Sequence, residues 1–125
     1  MLFRSSRRDE AMAGLNLAAA YLKLDDALGA IRAAAASLEI LHDLHDLSNQ
    51  ARTLSNLGAG LLRAGRPKAG RRCLEQARSL GRRARLEGDF FREIEALLPE
   101  SAESEPEETD GIQWLRPVLQ ELLAG

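Results

Sequence analysis

Two histidines and two aspartates lie close together in the segment His42-Asp43-Leu44-His45-Asp46. Histidines three residues apart on a helix can share one metal ion, but a stable zinc site needs three or four ligands. The chain has no further histidine and one cysteine, Cys73, which is distant in sequence. We therefore predict an exposed helix end at this segment, with no metal site and no cofactor.

Cys73 is the second residue with chemical potential. Arg71 and Arg72 precede it, and neighbouring cations can lower the pKa of a thiol. No histidine falls on the same predicted helix face, and no second cysteine exists to form a redox pair. The sequence also lacks a glycine-rich phosphate loop after a predicted strand. An enzyme needs a preorganised group of polar side chains, so we predict that the chain is not an enzyme.

Charge is distributed unevenly along the chain. Residues 63–85 carry nine basic residues and one acidic residue, whereas residues 86–125 carry two basic and eleven acidic residues. Nucleic-acid binding needs basic charge on one face, preferably with aromatic side chains for stacking, and no aromatic residue interrupts residues 63–85. We favour a solvated helix face for these arginines. Pairing with the acidic segment that follows is the alternative.

The segments that carry these residues belong to a repeat, because the sequence echoes itself after forty positions. Asn16-Leu17-Ala18 is matched by Asn56-Leu57-Gly58. A fixed period of this size is typical of stacked helical hairpins. Small residues recur at this register, and we predict that they lie where helices cross closely. These pairs are Ala18 with Gly58, Ala30 with Gly70, and Ser37 with Ala77.

The pattern Asn-Leu-(Gly/Ala)-x-x-(Tyr/Leu), followed by small residues twelve and nineteen positions later, resembles the tetratricopeptide repeat (TPR). The usual TPR period is about 34 residues. The forty-residue spacing is similar to that of longer-helix members of the family. The matching positions are Leu17, Ala18, Tyr21, Ala30 and Ser37 in the first copy, and Leu57, Gly58, Leu61, Gly70 and Ala77 in the second. Leu61 departs from the usual Tyr, and the third copy ends at Pro99.

The resemblance implies an all-α fold, a right-handed stack of antiparallel helical hairpins with two full repeats and a partial third. It also implies that the first helix of each hairpin lines a concave groove that binds a peptide. Residues at these concave positions are the candidate peptide-binding set. They are Asn16, Asn56, Arg52, Arg92 and Tyr21. Met12 and Ala96 replace the cation and the Asn in the first and third copies, so a looser groove is favoured over a clamp for a C-terminal carboxylate.

Hydrophobic periodicity and end signals predict the individual helices. We expect helices over residues 9–24, 26–45, 48–64, 67–85 and 89–98, with Ser48 or Asn49 capping the third. The second helix is expected to be longer and to account for the six residues beyond the usual repeat. In the last apolar segment, Pro117 predicts a helix that begins near Arg116.

These elements predict four regions. Residues 1–8 are expected to be disordered, residues 9–98 to form the repeat domain, and residues 99–111 to be a flexible acidic linker. Residues 112–125 are expected to form an amphipathic helix that caps the array by folding back onto the helix at residues 89–98. The Leu119-x-x-Leu122-Leu123 spacing favours burial in such a cap over recognition by another protein.

Together these features predict a non-catalytic scaffold or adaptor that binds a protein or peptide partner, and a terminal portion of a longer repeat array. One alternative is a helical module that forms homo-oligomers, and a second is a basic nucleic-acid-binding domain. No apolar run approaches the roughly 20 residues that span a bilayer. The single cysteine favours a reducing compartment, the cytoplasm, with the nucleus as the alternative.

Overall fold

The computed structural model describes residues 6–98 and 112–124. Within these ranges the chain forms α-helices and no strand, which confirms the predicted all-α stack of helical hairpins. The helices are α1 (Arg7–Lys23), α2 (Ala27–Asp43), α3 (Leu47–Arg63), α4 (Pro67–Arg83), α5 (Gly88–Leu97) and α6 (Leu115–Leu123). Residues 99–111, for which a flexible linker was predicted, lie outside the described residues.

The first four helices each contain 17 residues and begin at intervals of twenty positions. The prediction that a longer second helix accounts for the additional length of the repeat is therefore wrong. The additional residues of the repeat are divided equally between the two helices of each hairpin. The forty-residue echo is thus built from a helix-and-turn unit of half that size.

A left-handed residue ends each of these four helices. Asp25, His45, Gly65 and Arg85 have φ values of 59°, 55°, 80° and 57°. At the first turn, the Asp25 N–H donates to the Leu22 carbonyl and the Asp26 N–H donates to the Tyr21 carbonyl. The same two bonds recur at the other three turns. This is the Schellman pattern, which satisfies carbonyls at a helix end and reverses the chain in few residues.

The N-termini are capped by side chains at corresponding positions. Asp26 accepts a hydrogen bond from the Gly29 N–H (2.9 Å), and Asp46 accepts one from the Asn49 N–H (3.1 Å). Ser48 or Asn49 was predicted as the cap of α3, but the helix begins earlier because Asp46 takes that role. The α4 helix has no side-chain cap and instead begins with Pro67, whose fixed φ suits the first helical position.

The helix α1 begins earlier than expected. Ser6 caps it by accepting from the Asp9 N–H, while Arg7 and Arg8 form ion pairs with Asp43 and Asp46 across the α2–α3 turn. The prediction that residues 1–8 are disordered is therefore wrong for Arg7 and Arg8. Residues 1–5 lie outside the described residues.

Consecutive helices from α1 to α5 pack as antiparallel neighbours, and α3 also contacts α1 and α5 along one layer. The small residues predicted at the crossings are all buried, which confirms that part of the pattern. One close crossing joins α3 and α4. A Cβ atom added at Gly58 would lie 2.8 Å from Leu74 Cγ and 3.0 Å from the Gly70 carbonyl oxygen.

The large apolar partners of the repeat are not equivalent in burial. Leu57 is fully buried, whereas Leu17 is 50% exposed although it occupies the same position of the repeat. The difference follows from position in the stack, because α3 packs against both α1 and α2. Within the described part of the chain, no helix precedes α1.

The helix α6 begins at Leu115, one residue from the predicted start, with Pro117 in its first turn. The prediction that it folds back onto α5 is wrong. Its contacts are with α2 and α4: Trp114 donates from Nε1 to Gln76 Oε1 (3.2 Å), and Glu121 pairs with Arg66 (2.9 Å). Leu115 is buried in the common core. The α6 helix therefore covers the second helices of the hairpins rather than the end of the array.

Replacement of Gly58 by alanine tests the close α3–α4 crossing. We expect the free energy of unfolding to fall by about 1–3 kcal/mol, because the new methyl group forces Leu74 or the α4 backbone to move. Urea denaturation followed by circular dichroism measures the change. Gly88→Ala is the matched control, since the nearest atom to its new Cβ lies 3.9 Å away. A Gly58→Ala chain as stable as the wild type would contradict the crossing.

Arg85→Gly tests the left-handed turns. Glycine adopts positive φ without the steric cost that other L-residues bear, so we expect stability to rise by about 0.5–1 kcal/mol after the entropy of the unfolded glycine is deducted. The Gly65→Ala variant should change in the opposite direction by about 1 kcal/mol. Thermal unfolding of both variants measures the pair. Equal shifts of one sign would contradict the assigned turn geometry.

Candidate functional site

A groove of about 310 Å³ opens along the layer formed by α1, α3 and α5. Its lining combines apolar and polar side chains from all three helices. The lining residues are Leu15, Asn16, Ala19, Arg52, Ser55, Asn56, Asp89, Phe90 and Glu93. The groove exists because α3 contacts α1 on one side and α5 on the other, while the hairpin partners α2 and α4 lie in the second layer.

Three predicted peptide-binding residues meet in this groove. Asn16 and Asn56 occupy the same register on α1 and α3, and Arg52 lies one helical turn before Asn56. Residues four apart on a helix share a face, so Arg52 and Asn56 address the same side of α3. Asn16 and Arg52 are exposed and Asn56 is half-buried, which leaves their polar groups accessible from the groove.

The structure does not bring the other two predicted residues into the lining. Tyr21 is half-buried and packs on α2, where a Cβ added at Gly29 would lie 2.8 Å from Tyr21 Cδ1. Arg92 is exposed and forms an ion pair with Asp89, three residues earlier on α5. Tyr21 thus joins the two helices of the first hairpin, and the charge of Arg92 is directed to a carboxylate of its own helix.

Two acidic residues of the groove escaped the sequence prediction. Asp89 and Glu93 lie one turn apart on α5, and they correspond to Asn49 and Thr53 in the repeat. The forty-residue echo therefore gave no signal for them, although their four-residue spacing on a predicted helix places both on one face. The groove combines the Arg52 guanidinium with two carboxylates, and Asp89 is paired with Arg92, so Glu93 is the carboxylate placed to bind a basic group of a ligand.

The His-Asp segment has a structural role in the α2–α3 turn. His45 is the left-handed residue, Asp43 pairs with Arg7, and Asp46 caps α3. Partial burial acts most strongly on the pKa of Asp46 and raises it. The hydrogen bonds from Asn49 and Arg8 together outweigh that effect, so the pKa lies below its usual range. Among residues 6–98 and 112–124, no group of three or more His, Cys, Asp or Glu side chains could hold a metal ion.

Cys73 is fully buried within α4. Burial raises the pKa of its thiol far above the usual range and outweighs the opposing effect of Arg72. The thiolate is the nucleophilic form of cysteine. The neighbouring cations singled out in the sequence therefore do not activate this thiol, and Cys73 acts as a small apolar core residue beside Leu74 and Ala77.

Several arginines of the basic segment at residues 63–85 contact side chains or carbonyl groups of other helices. The Arg72 guanidinium lies 4.3 Å from the centre of the Trp114 ring, and Arg66 pairs with Glu121. Arg63 donates to the Leu22 carbonyl and also lies near Asp25. These arginines connect α6 and the first hairpin to the rest of the stack. The proposed pairing with the acidic segment falls at residues 99–111, outside the described residues.

Comparison of the chain with protein-family models, with curated proteins and with solved structures gives no match. The family resemblance stated from the repeat motif accordingly stays a proposal. None of the helices in the described ranges has the length and apolar character needed to cross a membrane.

The burial of Cys73 predicts a thiol that reacts only when the chain unfolds. With a typical stability of about 5 kcal/mol, labelling by a thiol-specific disulfide reagent should be at least about a thousandfold slower in the folded chain than in urea. Absorbance of the released thiolate measures both rates. Fast labelling under native conditions, with the circular dichroism spectrum unchanged, would contradict the buried position.

Proposed function

We propose that the chain is a non-catalytic scaffold that binds a segment of a partner protein in the groove between α1, α3 and α5. The observation that carries the proposal is the convergence of Asn16, Arg52 and Asn56 from two helices on one groove. Asparagine amides can donate to and accept from a peptide main chain. The TPR resemblance supports the same proposal, because it assigns peptide binding to this layer.

The groove also has the mixed character of a peptide site. Leu15, Ala19 and Phe90 provide apolar surface, while Arg52, Asp89 and Glu93 provide charge. Recognition sites commonly combine an apolar area that supplies binding free energy with few polar groups that fix orientation. A volume of about 310 Å³ accommodates a few side chains, so the ligand is a short peptide stretch. The Glu93 carboxylate in the lining favours a stretch that carries at least one Lys or Arg.

Self-association is the second candidate, and one observation favours it. Leu97, at the end of α5, is 41% exposed, and Leu17 is exposed at the opposite end of the stack. Exposed apolar residues at the ends of a repeat array are the positions where further repeats or a second copy pack. The nucleic-acid alternative has no comparable support. For the scaffold we propose the cytoplasm, which the single cysteine favours.

The groove is tested with peptides selected from a random display library on the wild-type chain. We expect enriched peptides to contain Lys or Arg, and the Arg52→Ala/Asn56→Ala double variant to bind them at least about tenfold more weakly, equivalent to about 1.4 kcal/mol. Fluorescence anisotropy with labelled peptides measures the affinities. Arg82→Ala is the matched control, since Arg82 is exposed on α4 outside the groove lining.

A charge-reversal variant sharpens the same test. Glu93→Lys should weaken the binding of basic peptides and favour acidic ones, because it reverses one of the two carboxylates of the groove. Equal binding of the selected peptides to wild type and to the double variant would show that the groove is not the site. Failure to enrich any peptide would remove the proposal of a linear peptide ligand.

A further inference from the structure

The helix α6 lies on a surface formed by the second helices of both hairpins, which we call the α6 face. We define this face by Ala35, Ala36 and Glu39 of α2 and by Arg66, Arg72 and Gln76 of α4. Its residues are distinct from those of the α1/α3/α5 groove. The structure therefore contains a second surface that accepts a helix.

Specific contacts fix the direction in which α6 lies on this face. Arg72 lies over the ring of Trp114 at the start of the segment, and Glu121 pairs with Arg66 near its end. Arg116 approaches Glu39 of α2 at 4.0 Å. The face thus presents a carboxylate to the first turn of the bound helix and a guanidinium to its last turn. This charge pattern selects a helix with a basic first turn and an acidic last turn.

The α6 helix is held weakly for an element of a folded core. It has nine residues, and isolated helices this short are not stable in water. Leu115 alone among its residues is fully buried, while Val118, Leu119, Leu122 and Leu123 remain half-buried. Its ion pairs are exposed, and such pairs contribute little. The helix therefore depends on docking, which is made by one fully buried leucine and by apolar side chains that pack against the core while remaining half exposed.

The fit between α6 and α2 is also incomplete. A gap of about 160 Å³ lies between Ala35, Ala36 and Leu38 on α2 and the apolar side of α6. The gap is open to solvent on one side and is bordered there by Glu39 and Arg116, so a larger side chain placed over it would bury apolar surface that α6 leaves in contact with water. A helix with a larger side chain at the position of Leu119, which borders the gap, would fill this face better than α6 does.

We propose that the α6 face is a binding surface for an amphipathic helix of a partner protein, and that α6 covers it as an intramolecular competitor. The partner helix carries an aromatic residue for Arg72, a buried leucine, a basic first turn, an acidic last turn and a bulky apolar residue facing Ala35 and Ala36. The contacts of α6 and the solvent-open gap beside Leu119 define this chemistry. The proposal does not depend on the function assigned to the α1/α3/α5 groove.

The tether between the core and α6 sets the affinity that a partner needs. Residues 99–111 connect the two in sequence, so α6 competes for the face as an intramolecular segment, whose effective concentration can lie far above that of a partner in solution. A partner helix that merely equals α6 in intrinsic affinity is therefore excluded at micromolar concentration. A better-fitting helix displaces α6, with an apparent affinity reduced by the fraction of chains in which the face is open.

The experiment uses the full chain and fluorescently labelled peptides of residues 112–124. In the Trp114→Ala chain, α6 loses its contacts with Arg72 and Gln76, so we expect it to bind the peptide at least about tenfold more tightly than the wild-type chain does. A Leu119→Phe peptide should bind the same variant more tightly than the unmodified peptide, because it fills the gap. Leu24→Ala, at a 76% exposed position in the α1–α2 turn, should behave as wild type.

A test of charge complementarity gives a change in peptide affinity that a general loosening of the fold would not produce. Adding Arg66→Glu to the Trp114→Ala chain should weaken the unmodified peptide about threefold to tenfold, and a Glu121→Arg peptide should recover the loss. Recovery identifies the α6 face as the site and fixes the orientation of the bound helix. Equal effects of Arg66→Glu on both peptides would overturn that assignment.

A protease site introduced at residues 99–111 keeps the proposal testable if Trp114→Ala does not fold. After cleavage, the α6 fragment should separate from the core on gel filtration at micromolar concentration. Retention of the fragment, or a folded Trp114→Ala chain that gains no peptide binding, would show that α6 is a permanent part of the fold. A wild-type dimer that exchanges α6 between copies would make a second copy the occupant and overturn the assignment to a partner protein.

Discussion

The left-handed residue at the end of each long helix fixes the geometry on which the remaining structure depends. Three-residue connections with a Schellman hydrogen-bond pair leave each chain reversal little freedom. Equal helices joined by equal turns then place corresponding residues at corresponding points of the stack. Asn16 and Asn56 lie in the same layer for this reason. Only Gly65 adopts its turn conformation without steric cost; Asp25, His45 and Arg85 are held there by the packing of the helices they join.

The close α3–α4 crossing is the second consequence of this regularity. Gly58 and Gly70 face each other with backbone oxygen near the position of a Cβ atom, so α4 can approach α3 until Leu74 and Cys73 are fully buried. The burial of Cys73 explains why its chemistry is suppressed despite the arginines that precede it.

The repeat pattern predicted those features that depend on equivalent surroundings in successive hairpins. It located the turns, the small residues at the crossings and three of the side chains in the groove. It failed where corresponding positions carry different residues or have different surroundings in successive copies. Asp89 and Glu93 of the partial third copy line the groove, although their counterparts in the second copy are not acidic. Arg92 pairs with Asp89 within α5, and Leu17 is exposed whereas Leu57 is buried. The position of α6 was also beyond the pattern, because it depends on tertiary contacts with Arg66, Arg72 and Gln76.

The two surfaces differ in what their accessibility requires. The α1/α3/α5 groove is formed by helices that pack on their neighbours along much of the stack, so a ligand meets a preorganised site and little free energy is spent on ordering it. The α6 face is covered by a short helix whose helicity depends on that contact, so a ligand must first compete with a tethered segment. The Gly58–Gly70 crossing joins α3, which lines the groove, to α4, which carries part of the α6 face. In the arrangement that we propose, the chain presents one constant site and one conditional site on a single stack, and the strength of α6 docking decides how often the second is open.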